Sequence, residues 1–181
     1  MLLPILQDGD PLLRQVAAPV PPGMFGTPEL DRILTDMSET LDGQVDGVAL
    51  AAPQVGISFR IFIVRYDRMS TREGDVPEDA TAEVGVYINP EFVKSSKKRD
   101  EMQEGCLSVR GIYGTTLRST NATMRAQDER GVWFERGGGG ILAQAFQHET
   151  DHLDGILFID HAEEIHEQTR EDETEHGTEP A

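Results

Sequence analysis

Apolar side chains follow helical spacing in two widely separated parts of the chain. The first begins at Thr27-Pro28-Glu29, which combines a hydroxyl cap, a proline and an acid as helix starts do. Leucine, isoleucine and methionine then recur every three or four residues until Gly43, where we predict that the helix ends. The second helix is predicted to end at Gly155. The residues on its core-facing side are Ile141, Ala145, His148 and His152.

Between the two helices the pattern favours strands. Residues 60–64 are predicted to form a strand that contains the apolar run 61–64, and residues 84–88 form another strand that we predict to end at Asn89-Pro90. Residues 122–127 and 132–136 flank a polar turn sequence that ends in glycine, which predicts a hairpin. The order of elements predicts an α+β domain with a largely antiparallel sheet packed on the last helix.

Two further segments are predicted to connect these elements. The stretch from Asp67 to Glu83 is polar and acidic, so we expect an exposed loop there. The four glycines 137–140 precede the last helix, and we predict that they form a flexible joint.

Composition limits the class of protein. A chain of 181 residues fits one domain, and no stretch approaches the ~20 apolar residues of a membrane span. A net charge of -17 argues against nucleic-acid binding driven by bulk charge. Cys106 is the single cysteine, and the first residues lack the basic region and the long apolar run of a secretory signal. We therefore expect a cytoplasmic protein without a membrane partner.

The C-terminal end is strongly acidic. Residues 162–181 contain Arg170 as their only lysine or arginine and Ile165 as their only branched aliphatic residue. Such a segment cannot bury much surface, so we predict a domain of residues 1–161 followed by a solvated acidic tail, with residues 170–181 disordered.

The strongest chemical signal is the run Gln147–His152, which contains the pattern H-E-x-x-H. Four residues are slightly more than one helical turn, so His148 and His152 lie on one face and can bind a single metal ion. Glu149 follows the first histidine, where its carboxylate can take a proton from a water molecule.

Two histidines make a weak metal site, so a third ligand is expected. A metalloprotease of the metzincin type would have a third histidine where this chain has Phe158. A carboxylate ligand from a later helix is a poor alternative, because Glu163, Glu164 and the acidic tail are all that follow.

Cys106 is the remaining candidate for the third ligand. Its thiolate would bind a metal strongly, although a lone cysteine can equally be a small buried apolar residue. Glu104 can be the acceptor that orients a metal-binding imidazole, or a surface acid.

A third cluster spans Gly47–Gly56 and consists largely of small and apolar residues. Its backbone could lie close to a peptide-like ligand, or the segment could be a tightly packed strand or turn. Gln54 is the polar exception, and its amide could stabilise a developing oxyanion.

Together these clusters resemble the peptide deformylases, whose three motifs are G-Φ-G-Φ-A-A-x-Q, E-G-C-L-S and Q-H-E-x-D-H. Here the motifs stand at residues 47–54, 104–108 and 147–152, in the family's order. The opening residues 9–14 and the run 152–158 also match, so the resemblance covers residues 4–160. It implies an α+β fold in which mostly antiparallel sheets pack around a central C-terminal metal-binding helix.

The resemblance also implies the activity. The family removes the formyl group from the N-terminal formyl-methionine of new polypeptides and releases formate. The implied cofactor is Fe(II), with zinc, nickel or cobalt as substitutes, and we expect a monomer whose partners are N-formylated nascent peptides. The implied metal ligands are Cys106, His148 and His152.

Other site residues follow from the same motifs. Glu149 matches the catalytic carboxylate, and Gln54 with the backbone N–H of Leu107 matches the groups that hold the formyl oxygen. The methionine pocket is expected to involve Val48, Ala49, Ile141 and Ala145. Ala49 is a departure, because the family has glycine there, and an extra methyl group could narrow the cleft or restrict the backbone.

The sequence leaves two alternatives to a deformylase. One is a catalytically weak paralogue that binds N-terminal peptides, an interpretation motivated by Ala49 and by the acidic tail. Glu149 counts against it, since a binding protein has no need of that carboxylate. The other is a zinc endopeptidase, which Phe158 disfavours.

Overall fold

The first predicted helix forms as expected. In this computed structural model, which describes residues 1–69 and 84–167, helix α1 spans Pro28–Asp42. The Thr27 hydroxyl oxygen accepts a hydrogen bond from the Leu30 N–H, and Gly43 follows the last helical residue. The prediction of this helix and of both its ends is confirmed.

The strands form two sheets, and all pairs are antiparallel. Within the described residues, a five-stranded sheet has the order β1-β2-β3-β6-β7 and a three-stranded sheet has the order β4-β5-β8. The strands are β1 (Ala49–Ala51), β2 (Ile61–Arg65), β3 (Val84–Ser95), β4 (Arg99–Cys106), β5 (Val109–Ser119), β6 (Asn121–Gln127), β7 (Trp133–Gly139) and β8 (Glu163–Glu167).

The second helix, α2 (Gly140–Leu153), packs against both sheets. On the five-stranded sheet, Phe62 of β2 packs in one cluster with Phe146 of α2, whereas Ile61 and Ile63 point the other way into a cluster with α1. Strand β2 is therefore buried on both faces, which explains its unbroken apolar run. The predicted α+β fold with antiparallel sheets and a C-terminal helix is confirmed.

The prediction that a strand ends at Asn89-Pro90 is wrong. Strand β3 continues to Ser95, and the pairing with β6 shifts register between Ile88 and Glu91. Asn89 has a left-handed backbone with φ of 51°, and its side chain bonds both the N–H and the carbonyl of Val20. Asparagine tolerates this conformation, so the dipeptide forms a bulge rather than an end.

The predicted glycine joint is also wrong for most of its length. Residues 137–139 belong to β7 and pair with β6. A Cβ atom on Gly138 would lie 2.5 Å from a terminal carbon of Leu142, so the glycine permits α2 to pack closely over the strand that precedes it. Gly140 has φ of 50° and makes the turn into the helix.

The folded chain continues past residue 161, where the acidic composition placed the start of a tail. Glu163–Glu167 form β8 and pair with β5. The predicted disorder of residues 170–181 and most of the predicted loop, residues 70–83, lie outside the described residues. In the part of the chain that is described, no helix is long and apolar enough to cross a membrane.

Gly155 allows a sharp turn after α2, and its substitution should be more costly than that of another left-handed glycine. Gly155 and Gly56 both have positive φ, but only at Gly155 would a Cβ atom meet backbone, 2.7 Å from the carbonyl carbon of Arg14. We expect Gly56→Ala to lower the free energy of unfolding by about 1 kcal/mol through backbone strain. Gly155→Ala should lose at least about 1 kcal/mol more through the clash. Urea unfolding of both variants measures the difference, and equal losses would contradict this account.

Candidate metal centre and cleft

Helix α2 brings three chemically active side chains to one place. Because His148 and His152 are one turn apart, their Nε2 atoms lie 3.2 Å from each other. His152 and Glu149 are buried, and His148 is partly buried. The helix buries its apolar residues against the five-stranded sheet, and this packing fixes the direction of the three side chains.

Cys106 reaches the two histidines from the end of β4. Its Sγ atom lies 3.2 Å from the Nε2 atom of His152, and the ligand atoms of the three residues all lie within 4.8 Å of one another. One thiolate and two imidazoles form a donor set that suits zinc, iron and similar transition metals. Burial lowers the pKa of His152, which favours the neutral imidazole that a metal requires. The structure thus brings the three predicted ligands together.

Glu104 fixes the orientation of His148. Its Oε1 atom lies 2.5 Å from His148 Nδ1, so the ring turns its Nε2 atom towards Cys106 and His152. Arg118 donates to both carboxylate oxygens at 2.7 and 3.0 Å, and the Thr116 hydroxyl donates at 2.6 Å. Burial alone would raise the pKa of Glu104, but the hydrogen bonds from His148 and Arg118 hold it well below its usual range. Glu104 is therefore a buried orienting acceptor and no surface acid.

Arg118 was not found from the sequence. It is buried in β5, and it also donates to Asp151 of α2 at 2.8 Å, so it connects the three-stranded sheet to the helix. A single arginine in a strand matches no motif. Alternation along β5 gives no signal either, because its buried positions hold Gly114, Thr116 and Arg118 whereas the exposed face carries Leu117.

Gln54 is positioned by a short 3₁₀ turn, Ala52–Val55, which follows β1. The Gln54 Oε1 atom accepts a hydrogen bond from the Ala51 N–H at 2.8 Å, so the Nε2 atom of the same amide points away from Ala51. There, Nε2 donates to the Ser108 hydroxyl at 3.1 Å and lies 3.5 Å from Cys106 Sγ. Ser108 belongs to the second motif, but the motif alone assigns no role to its side chain. The fold uses its hydroxyl to hold the glutamine amide beside the ligand cluster.

These residues surround a cleft of about 330 Å³. All predicted site residues line it except His152, which is buried beneath it. Ala49 contributes both to the cleft wall and to the core cluster that includes residues of α2. The predicted site residues that line the cleft are Val48, Ala49, Gln54, Cys106, Leu107, Ile141, Ala145, His148 and Glu149.

Glu149 differs from Glu104 in having few partners. Its Oε2 atom is buried without a hydrogen-bond partner among the described residues. Burial raises the pKa of Glu149 to about 7, although the charge of His148 opposes the shift. A carboxyl group with this pKa can accept and return a proton near neutral pH.

The raised pKa of Glu149 should weaken the metal-free protein at high pH. Between the ordinary value of 4.5 and about 7 the unfolded chain loses this proton while the folded chain keeps it, so stability falls as pH rises. The free energy of unfolding of Glu149→Gln, relative to that of the wild type, should increase by roughly 1–3 kcal/mol from pH 5 to pH 8. Denaturant titrations of both proteins after removal of metal measure this. A stability difference that is the same at both pH values would refute the assignment.

Comparisons with known proteins agree with the resemblance that the sequence motifs carry. The family model described as polypeptide deformylase matches residues 2–168. A peptide deformylase of Dehalococcoides mccartyi (strain CBDB1) is 40% identical over 167 residues, 91% of this chain and 90% of that protein. The Met-Ala-Ser-bound crystal structure of a class I type b peptide deformylase from Acinetobacter baumannii has a TM-score of 0.79 at 34% identity, covering 88% of this chain and 98% of that one. The peptide deformylase of Thermotoga maritima has a TM-score of 0.75 at 35% identity, covering 90% and 98%. The resemblance is confirmed, and the chain belongs to the peptide deformylase family.

Proposed function

We propose that this chain is a metal-dependent hydrolase that removes the formyl group from the N-terminal formyl-methionine of nascent polypeptides and releases formate. The observation that carries the proposal is the cluster of Cys106, His148 and His152 beside the unpaired carboxylate of Glu149, at the floor of a peptide-sized cleft. Membership of the deformylase family and the Met-Ala-Ser complex of the Acinetobacter baumannii relative support the substrate class. A protein that only binds peptides would not need Glu149.

Cys106, His148 and His152 would hold the metal ion. We expect Fe(II), with zinc, nickel or cobalt as substitutes, because the thiolate and imidazole donors suit all four. When bound, the ion supplies Lewis-acid chemistry that lowers the pKa of water towards neutrality.

Glu149 accepts and then donates the proton in the proposed reaction. It takes a proton from the water that attacks the formyl carbon, and it returns that proton to the nitrogen when the C–N bond breaks. The products are formate and the free amino terminus. One carboxyl group can perform both transfers, because the proton that it accepts in the first step is the proton that it donates in the second.

Gln54 and Leu107 stabilise the charge that develops on the formyl oxygen. The Gln54 amide is held beside Cys106 before substrate arrives, and Leu107 follows Cys106 along the same cleft wall. Donors fixed in advance stabilise an oxyanion without reorganisation.

The methionine side chain fits the apolar part of the cleft. Val48 and Ala49 come from the β1 side, and Ile141 and Ala145 come from α2. These groups contribute apolar surface but no charge, which suits an uncharged thioether side chain. We place the enzyme in the cytoplasm as a monomer, acting on nascent chains without binding nucleic acid itself.

Formate release tests the proposal directly. The anaerobic, Fe(II)-loaded protein should release formate from formyl-Met-Ala-Ser. Glu149→Ala should lower kcat by about 10²–10⁴-fold while keeping its metal, because it removes the proton acceptor. Cys106→Ser should lose metal and activity together.

Glu101→Ala is the matched control for the first variant, because Glu101 is an exposed acid on β4 outside the cleft lining. It should behave as the wild type does. No formate from the metal-loaded wild type would contradict the proposed function.

Ala49 gives a second test. Ala49→Gly should raise kcat/KM on formyl-Met peptides by at least about twofold, since it removes a methyl group from the cleft wall. It should also cost about 1 kcal/mol of stability, because glycine is more flexible in the unfolded chain. Equal kcat/KM values for the two proteins would show that the methyl group does not restrict the cleft.

A further inference from the structure

Arg110 reaches across the mouth of the cleft. It is exposed near the start of β5, and its guanidinium donates to the side-chain oxygen of Gln44, two residues before Asp46 of the opposite wall. Asp46 stands beside Gln44, and one of its carboxylate oxygens is 3.9 Å from the guanidinium. Both partners lie between α1 and β1, so Arg110 connects two walls that are far apart in sequence.

The Arg110 guanidinium has N–H donors that are available to another ligand. It has five N–H groups, of which Gln44 occupies one, and 3.9 Å is too long for a hydrogen bond to Asp46. The fork of an arginine matches the two oxygens of a carboxylate. The other acids of the cleft lining do not compete, because Glu104 is paired with Arg118 and Glu149 is buried at the floor.

A bound peptide would pass this guanidinium. The formyl group must lie beside Cys106 and Glu149, at the closed end of the cleft. From there the wall formed by residues 46–48 leads outwards to Asp46, which is exposed, whereas Gly47 and Ala49 are buried and Val48 is half-buried. Arg110 and the exposed Gly111 lie opposite that wall. The substrate residues that follow methionine would therefore leave the cleft between residues 110–111 and residues 46–48.

We propose that Arg110 is a specificity-determining residue that favours substrates with an acidic side chain at the second or third position. The inference rests on the proposed deformylase function and adds a preference downstream of methionine. A substrate carboxylate would take the N–H groups that point into the mouth, and Asp46 would compete with it weakly.

The size of the expected substrate preference depends on long-range charge repulsion and on the strength of one ion pair. The net charge of -17 repels acidic peptides at long range, but salt at about 0.15 M screens interactions beyond roughly 8 Å. A contact ion pair at a solvent-exposed rim survives screening and is worth about a three- to fivefold preference. Because Arg110 is remote from the reacting atoms, the preference should appear in KM rather than in kcat.

The experiment compares formyl-Met-Ala-Ser-amide with peptides that carry Asp or Asn at position two or three. Amidation removes the terminal carboxylate, so the side chain is the only carboxylate present. At 0.15 M salt the wild type should show an Asp/Asn ratio of kcat/KM of about three to five at one of these positions. The ratio should fall to about one in Arg110→Ala and below one in Arg110→Glu.

Two further variants sharpen the test. Asp46→Asn should raise the ratio, because it removes the competing carboxylate. Arg130→Ala should leave the ratio as in the wild type, since this exposed arginine pairs with Asp128 away from the cleft.

Two results would overturn the inference. They are a wild-type ratio near one at both positions, and a preference for Asp that persists in Arg110→Ala. In these cases formate is still released, so the proposed function stands. Absence of formate from every peptide would instead refute the proposed function, and the inference with it.

Discussion

Glu104 buries a negative charge beside the metal-ligand cluster, and the arrangement of three elements depends on how that charge is paired. Arg118 of β5 neutralises it with two hydrogen bonds, and His148 of α2 bonds the same carboxylate. Removing one partner of a buried ion pair typically costs about 3–5 kcal/mol. The pairing thus fixes β4, β5 and α2 relative to one another, and it sets the direction of a ligand ring.

The ligand cluster exists only because these elements meet. Cys106 ends β4, whereas His148 and His152 lie on α2, and Gln54 lies in the turn after β1. Hydrogen bonds from Gln54 to Ser108 and from the Ser108 N–H to Cys106 Sγ connect two of these regions next to the cluster. Metal binding at such a site should therefore be coupled to folding, because the unfolded chain does not hold the ligands together.

The parts that sequence predicted are those that local rules determine. The cap at Thr27 and the i, i+4 spacing of His148 and His152 depend on one helix each, so they could be read directly. The roles of Asn89 and Arg118 could not be predicted in this way, because both residues act through partners far away in sequence. Asn89 bonds Val20, and Arg118 bonds Glu104 and Asp151. Strand β8 was hidden for the same reason. Its acidic composition resembles a tail, and it is recognisable as a strand only through its pairing with β5.

Two buried carboxylates in one cleft have opposite properties because their surroundings differ. Arg118 and His148 hold the pKa of Glu104 low, so it stays ionised and orients a ligand. Among the described residues Glu149 has no comparable partner, and burial raises its pKa to about 7. Such a separation of pKa values assigns the two acids different roles in one site. In the metal-free protein, a hydrogen-bonded arginine such as Arg118 beside Glu149 would lower the proton affinity of this carboxylate, so the proton transfers proposed here require that Glu149 lacks such a partner.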